Sequence, residues 1–329
     1  MQEQKTKGRI LSGMRPTGKM HLGNFVGALE NWVHLQGKYE NFHLIADYHA
    51  LTTNLYTSEL LANTIEMVID WISVGIDPQI SPVFRQSQVK EHAELHLLFS
   101  MLITTARLQR NPTLKEQVKD MAIENMAYGH LGYPVLQAAD ILLYKGDLVP
   151  VGEDQAPHVE ITREIARRFN TVYSEIFPIP KAKLTKFARL PGLDRNKMSK
   201  SLGNTLLLSD PPEEIQNKMR KAITDPQKVR RGDPGRPEIC LVYTYHQKFN
   251  PQQTQEIYAG CTSGALGCVD CKKMCAAAIS AITEPFLEQR RLYEGRPDDV
   301  LDILIDGEKR ARIVAEVTMN DVRRVMSLG

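Results

Sequence analysis

Arg9-Ile10-Leu11-Ser12-Gly13-Met14-Arg15-Pro16-Thr17-Gly18-Lys19-Met20-His21-Leu22-Gly23-Asn24 runs from a β-rich segment, Arg9 to Met14, through a glycine-bearing turn into a helical pattern. From Leu22 onward, Val26, Leu29 and Val33 keep helical spacing. Strand, turn and helix in that order open a parallel sheet, and the alternation continues. Phe42 to Asp47, Pro82 to Gln86 and Leu148 to Val151 are short apolar runs that predict strands. Leu61, Ile65, Val68 and Ile72 predict a helix stopped by Gly75. The first 155 residues thus predict an α/β class, a doubly wound parallel sheet. In such sheets ligands bind beyond the strand carboxyl ends, where the N–H groups at a helix start favour an anion. The turn from Ser12 to Asn24 is therefore where phosphate is expected, with His21 able to donate to a phosphate oxygen and Gly23 letting a flat base approach the backbone.

Hydrophobic residues make up 42% and charged residues 24% of the 329, which excludes disordered, collagen-like and disulfide-miniprotein classes. Lysine and arginine number 41 against 39 acidic residues, a net charge of +2. That balance is too even to hold duplex nucleic acid by bulk charge, so any such contact needs a local patch. The opening MQEQKTKGRI is polar, and no run approaches the roughly 18 apolar residues of a membrane span, so a cytoplasmic protein without a membrane partner is expected. The length predicts two domains. Strand-like runs almost vanish near residue 205, which divides the chain into an α/β part, 1–205, and a mainly helical part, 206–329. The last segment, 308–328, carries Ile313, Val317 and Val325 on a proline-free helical pattern that can fold back onto either part.

A second chemical stretch is Lys197-Met198-Ser199-Lys200-Ser201, flanked by Asp194, Arg195, Gly203 and Asn204 and expected to be a mobile loop. Two lysines and two hydroxyls suit a leaving polyphosphate, because attack at phosphorus needs charge stabilisation and positioning more than covalent chemistry. Together, His21-Leu22-Gly23-Asn24 and Lys197 to Ser201 resemble the paired HIGH and KMSKS signatures of class I aminoacyl-tRNA synthetases. Gly23 to Leu29, and Leu142 to Gln155 with His158, Glu160, Thr162 and Arg163, further resemble the tryptophanyl-tRNA synthetases.

The resemblance implies a Rossmann-type catalytic domain, a helical anticodon-binding domain and a homodimer. It implies activation of L-tryptophan by ATP with Mg2+ and transfer to tRNA(Trp), the amino-acid carboxylate itself attacking the α-phosphorus. Ser12, Gly13, His21, Gly23, Asn24, Asp154, Lys197, Met198, Ser199 and Lys200 are the residues it assigns to ATP, and Lys115 matches a family lysine near the triphosphate. Two positions depart from the family pattern: Arg15 stands where glutamine is usual, and Gln117 where lysine is usual.

For the amino acid, Tyr133, Gln137 and Asp140 are spaced four and three apart, on one face of a helix that Pro134 is expected to begin. An indole N–H only donates, so the Asp140 carboxylate is a fitting acceptor. By resemblance, Tyr133 and Gln155 hold the substrate ammonium and His49 lines the same pocket. The Tyr133-x3-Gln137-x2-Asp140 spacing also resembles the sister tyrosyl family, since a phenol and an indole both donate; the Gly152-Glu153-Asp154-Gln155 block points to tryptophan. A catalytically silent RNA-binding relative is another alternative, and a nucleotidyltransferase of the same superfamily, which would share the histidine loop but has no evident need for a helical anticodon domain, is a third.

All five cysteines fall between Cys240 and Cys275. Such clustering suggests metal or cluster ligation, and four thiolates satisfy either a cubane cluster or tetrahedral zinc. Cys240-x20-Cys261-x6-Cys268-x2-Cys271 resembles a subset of tryptophanyl synthetases that hold a [4Fe-4S] cluster, leaving Cys275 over. Lys218, Arg220, Lys221, Lys228, Arg230, Arg231 and Arg236 form the basic run where RNA contact is sought.

Overall fold

The computed structural model describes residues 8–120, 123–152, 155–184 and 190–329. Five parallel strands, β1 (Arg9–Met14), β2 (Glu40–Ile45), β3 (Val83–Arg85), β4 (Leu148–Val151) and β5 (Lys181–Leu184), form one sheet in the order β3-β2-β1-β4-β5. The order reverses between β1 and β4, which opens a crevice at their carboxyl ends. The doubly wound sheet predicted from the sequence is therefore present.

Three strands depart from the sequence reading: β3 is one residue shorter at each end than Pro82 to Gln86, β2 is shifted and β5 is new. β2 starts at Glu40 because Arg9 and Ile10 pair with Glu40 and Asn41, and it ends at Ile45 because Asp47 already opens a helix. β5 has no predicted counterpart, because Lys181 and Lys183 interrupt any apolar run there.

The helices of the first half are α1 (Leu22–Asn24), α2 (Glu30–Leu35), α3 (Asp47–Leu51), α4 (Leu60–Ser73), α5 (Glu91–Ser100), α6 (Thr105–Gln109), α7 (Pro112–Asp120), α8 (Tyr128–Leu143) and α9 (Ala156–Val172). A π-helical segment, Phe25–Leu29, joins α1 to α2, widening the helix where the small residues Gly27 and Ala28 face the crevice. α8 corrects the expectation for Pro134. The helix begins six residues earlier, at Tyr128, and Pro134 lies inside it with no N–H to give the His130 carbonyl. Burial of His130, Gly132 and Tyr133 in the first turns holds that part helical.

Beyond the strands come α10 (Pro212–Lys221), α11 (Leu241–Phe249), α12 (Thr254–Thr262), α13 (Cys268–Tyr293) and α14 (Pro297–Val325). Two apolar clusters form the core. One joins Ile45, Val83, Trp32 and Trp71 to Ile215, Tyr245, Ile279 and Leu304; the other joins Leu11, Phe42, Leu44 and Phe84 to Ala311, Ala315, Met319 and Val322. α14 thus packs back on the sheet. Its Gly307 lies so close to the Val83 backbone that a Cβ would collide with the Val83 carbonyl, and Arg85–Glu308 and Arg323–Glu94 pair on either side. No helix among the described residues is long and apolar enough to cross a membrane.

His43 of β2 is fully buried, stacked on Trp32 at 5.1 Å with Trp71 edge-on to it. Burial lowers its pKa from 6.5 to about 3, so the folded protein keeps it neutral while the unfolded chain takes up a proton below neutrality. Stability from this residue is complete above pH 6.5 and is lost as pH falls toward 3. Urea unfolding at about pH 5 should show a stability lower by about 2 kcal/mol than at pH 7, and His43→Phe should flatten that dependence.

Candidate active site

The crevice at the carboxyl ends of β1 and β4 deepens into a cavity of about 460 Å³, a size suited to a small-molecule ligand. One part of its wall is Ser12, Gly13, Met14, Asn24, Gly27, Ala28 and Trp32; another is His49, Thr52, Tyr133, Gln137, Asp140 and Gln155. The two groups the sequence singles out separately thus face one space. Ser12 Oγ is buried in this wall and has no hydrogen-bond partner among the described residues, so a ligand can take it.

His21 caps α1. Its Nδ1 accepts from Asn24 N at 3.2 Å, while His21 N donates to Asn24 Oδ1 at 3.1 Å. An accepting Nδ1 places the proton of the neutral ring on Nε2. Burial first, and the Lys200 charge second, lower the His21 pKa to about 4, so near neutrality the ring is an uncharged Nε2–H donor. Gly23 fits tightly here, because a Cβ would stand 3.0 Å from the His21 ring and 3.3 Å from Met198 Sδ.

The loop of Lys197 to Ser201 lies against the first loop. Gly23 N donates to Met198 Sδ at 3.4 Å, and Lys200 Nζ donates to the carbonyls of Thr17 and of Lys19, the latter at 3.0 Å. Immediately after it, Leu22 N donates to Leu206 O and Leu208 N to Met20 O, so the two stretches are stitched by backbone pairing. Ser199 N donates to Asn204 Oδ1 at 2.8 Å. Lys197 is exposed and its carbonyl accepts from Asn204 Nδ2.

Lys115 is exposed on α7 and is not part of the cavity wall. Leu114 is buried and Gln117, one turn on, takes the inward place, so the departure from lysine at 117 sits at the cavity, as does Arg15. Asp154 lies outside the described residues.

Asp140 is almost fully buried and holds three donors. His49 Nε2 reaches Oδ2 at 2.9 Å, and His92 Nδ1 and Gln86 Nε2 reach Oδ1 at 2.6 and 2.7 Å. Burial alone would raise its pKa, but the hydrogen bonds and charges of His49 and His92 win and hold it well below the usual carboxylate range. His92 gives its Nδ1–H to Asp140, and its Nε2 lies 3.0 Å from Tyr144 Oη. A second chain orders Tyr133. Thr113 N donates to Asn111 Oδ1, Asn111 Nδ2 to His158 Nδ1, and His158 Nε2 to Tyr133 Oη at 2.7 Å. Gln86, His92, Tyr144 and Asn111 carry no local spacing signal for these bonds, because they reach these partners from 47 to 54 residues away.

The cysteines gather between the helices. Cys240 precedes α11, Cys261 lies in the last turn of α12, and Cys268 and Cys271 lie in the first turn of α13. Burial, then the charges of Cys240, Cys261 and Cys268, push the Cys271 thiol up to about 12. Cys275 is buried one turn further on. As placed, no three or more His, Cys, Asp or Glu side chains among the described residues form a set that could hold a metal ion. The basic run is partly structural: Lys218 pairs with Asp210, Arg236 with Asp225, and buried Lys228 donates to the carbonyls of Asp233 and Cys261. Arg220, Lys221, Arg230 and Arg231 are exposed.

A doubly wound sheet with a neutral histidine cap and a lysine loop at its switch point defines a nucleotide-handling class. The family model described as "tRNA synthetases class I (W and Y)" matches residues 3–284, and the chain belongs to that family. It is 50% identical over 325 residues to the tryptophan–tRNA ligase of Thermotoga maritima, covering 97% of this chain and 99% of that protein. The tryptophan–tRNA ligase of Aquifex aeolicus is 42% identical, covering 97% of this chain and 100% of that protein. The crystal structure of Campylobacter jejuni tryptophanyl-tRNA synthetase complexed with ADP and tryptophan superposes with a TM-score of 0.86 at 32% identity, covering 97% of this chain and all of that one.

Removing the Lys200 ammonium should loosen the second loop without unfolding the protein. Lys200→Met is expected to speed amide exchange at residues 197–203 roughly tenfold with little change in melting temperature, read by hydrogen-exchange mass spectrometry.

Proposed function

We infer that the chain is a tryptophan–tRNA ligase that activates L-tryptophan with ATP and transfers it to tRNA(Trp). One observation carries this reading: a single cavity joins the first phosphate-suited loop, against which the lysine loop lies, to a polar pocket around Asp140, in a chain of this family half identical to a ligase of that name. The amino-acid carboxylate attacks the α-phosphorus of ATP, forming the P–O bond of the adenylate as the bond to pyrophosphate breaks. Magnesium, carried in with ATP, neutralises phosphate charge. His21 donates Nε2–H to a phosphate oxygen, and Lys197 and Lys200 take the charge that builds on the leaving pyrophosphate. Ser12, Gly13, Gly23 and Asn24 shape the nucleotide end, with Met198 and Ser199 setting the lysine loop against it.

In the same reading Asp140 accepts the indole N–H on Oδ2, which takes one side-chain donor against two on Oδ1. Tyr133 and Gln155 hold the substrate ammonium, and Gln137 and His49 complete the pocket. Residues 1–205 act as the catalytic domain and 206–329 face the tRNA, with 308–328 returning to the catalytic side. Arg220, Lys221, Arg230 and Arg231 offer phosphate contacts. The chain acts as a homodimer in this reading.

The four thiols of Cys240, Cys261, Cys268 and Cys271 are where a [4Fe-4S] cluster, or zinc, would be held. Their clustering in the sequence and their soft donor chemistry support this; as placed they do not yet converge on one ion, so binding requires the side chains to turn together, and such a centre would be structural. Anaerobically purified protein should carry about four irons and four sulfides per chain; a colourless protein with neither metal nor sulfide contradicts the assignment.

Purified protein should exchange pyrophosphate into ATP with tryptophan and not with tyrosine. Exchange with tyrosine alone overturns the assignment. Asp140→Asn places an amide among three donors and should weaken tryptophan binding by about 2 kcal/mol or more, measured by calorimetric titration.

A further inference from the structure

Asp70 of α4 and Arg290 of α13 are both buried, and neither belongs to the cavity wall. Arg290 Nη1 donates to Asp70 Oδ1 at 2.5 Å. The other carboxylate oxygen, Oδ2, accepts the backbone N–H of Met20 at 2.6 Å. Met20 is the residue before His21, and its carbonyl is already held by Leu208 N at 2.9 Å. Arg290 also donates to Glu66, and through Nε to Glu294 Oε1 at 2.7 Å, so one guanidinium faces three carboxylates. The Lys200 ammonium also feels the Asp70 charge.

We propose that Arg290 is a positioning residue for nucleotide binding: by pairing with Asp70 and orienting its carboxylate it fixes the Met20 N–H, and with it the place of His21. The physical ground is the asymmetry of buried charge. A carboxylate as buried as Asp70 is tolerated only when its charge is met by a well-oriented donor, and removing one partner leaves the other uncompensated. Without the guanidinium, Asp70 protonates or turns toward water. Either change frees the Met20 N–H, weakens the hold on Lys200 and lets both phosphate loops drift from a common geometry. No part of this reaches the pocket around Asp140, so the effect falls on ATP.

The test rests on the ligase reading and is chosen to separate the two. Pyrophosphate exchange is measured with varied MgATP and varied tryptophan for Arg290→Gln, Arg290→Lys, Asp70→Asn and the Asp70→Asn/Arg290→Gln double variant. Arg290→Gln should raise the KM for ATP about tenfold with the KM for tryptophan nearly unchanged. Arg290→Lys should recover most of the loss, and the double variant should exceed Arg290→Gln because no unpaired buried charge remains. If Arg290→Gln does not fold, Asp70→Asn carries the test with the same split expected. An unchanged KM for ATP in the folded variants, or both KM values rising together, overturns the proposal. Should the unmodified protein show no exchange, the ligase reading fails instead, and calorimetric binding of MgATP to the same variants decides the role of Arg290.

Discussion

The site depends on one ammonium group crossing 181 residues of sequence to bind backbone carbonyls: Lys200 Nζ on Lys19, and beside it on Thr17. A lysine so placed is in a nest of oxygen acceptors beside the buried Asp70, next to a histidine held neutral by burial and by that same lysine. Phosphate oxygens are better partners for an ammonium than peptide carbonyls. The contact that joins the loops is therefore also the one a triphosphate can replace.

Around this contact the helical residues beyond 206 act as the frame. The stretch leading into the lysine loop hangs from them: Tyr245 Oη donates to the Pro191 carbonyl at 2.7 Å, and Arg195 donates to the carbonyls of Thr224 and Ile239. Ile239 directly precedes Cys240. The first loop is held through Asp70 from α13, whose first turn carries Cys268 and Cys271. Both loops thus take their positions from the helices that bear the cysteines. α14 closes the other face of the sheet, where Gly307 lets a helix backbone touch a strand backbone.

Local pattern made much of this legible. Arg9 to Met14 reads as a strand and is one, because an apolar run before a glycine turn has few other uses; the motif pair marks both loops. What could not be read were quantities decided by distant partners. Pro134 suggested a helix start by its own stereochemistry, but burial of Tyr133 and its neighbours carried the helix through it. Lys115 matched a family position, yet the face of α7 turned inward is set by Leu114. The donors on Asp140 come from β3–α5 and α3, and no spacing near Asp140 announces them. Arg290 reads as one charge among several at the end of a long helix, and only its burial against Asp70 singles it out. In the basic run, Lys228 and Arg236 looked like surface cations, whereas carbonyl and carboxylate partners hold them in the fold.

A crystal structure of the protein with MgATP tests the convergence of the two loops most directly. The triphosphate should lie between His21 Nε2 and Lys200 Nζ, with the lysine transferred from the Thr17 and Lys19 carbonyls to phosphate oxygens. Nucleotide bound elsewhere, while Lys200 keeps its carbonyl partners, would contradict the account.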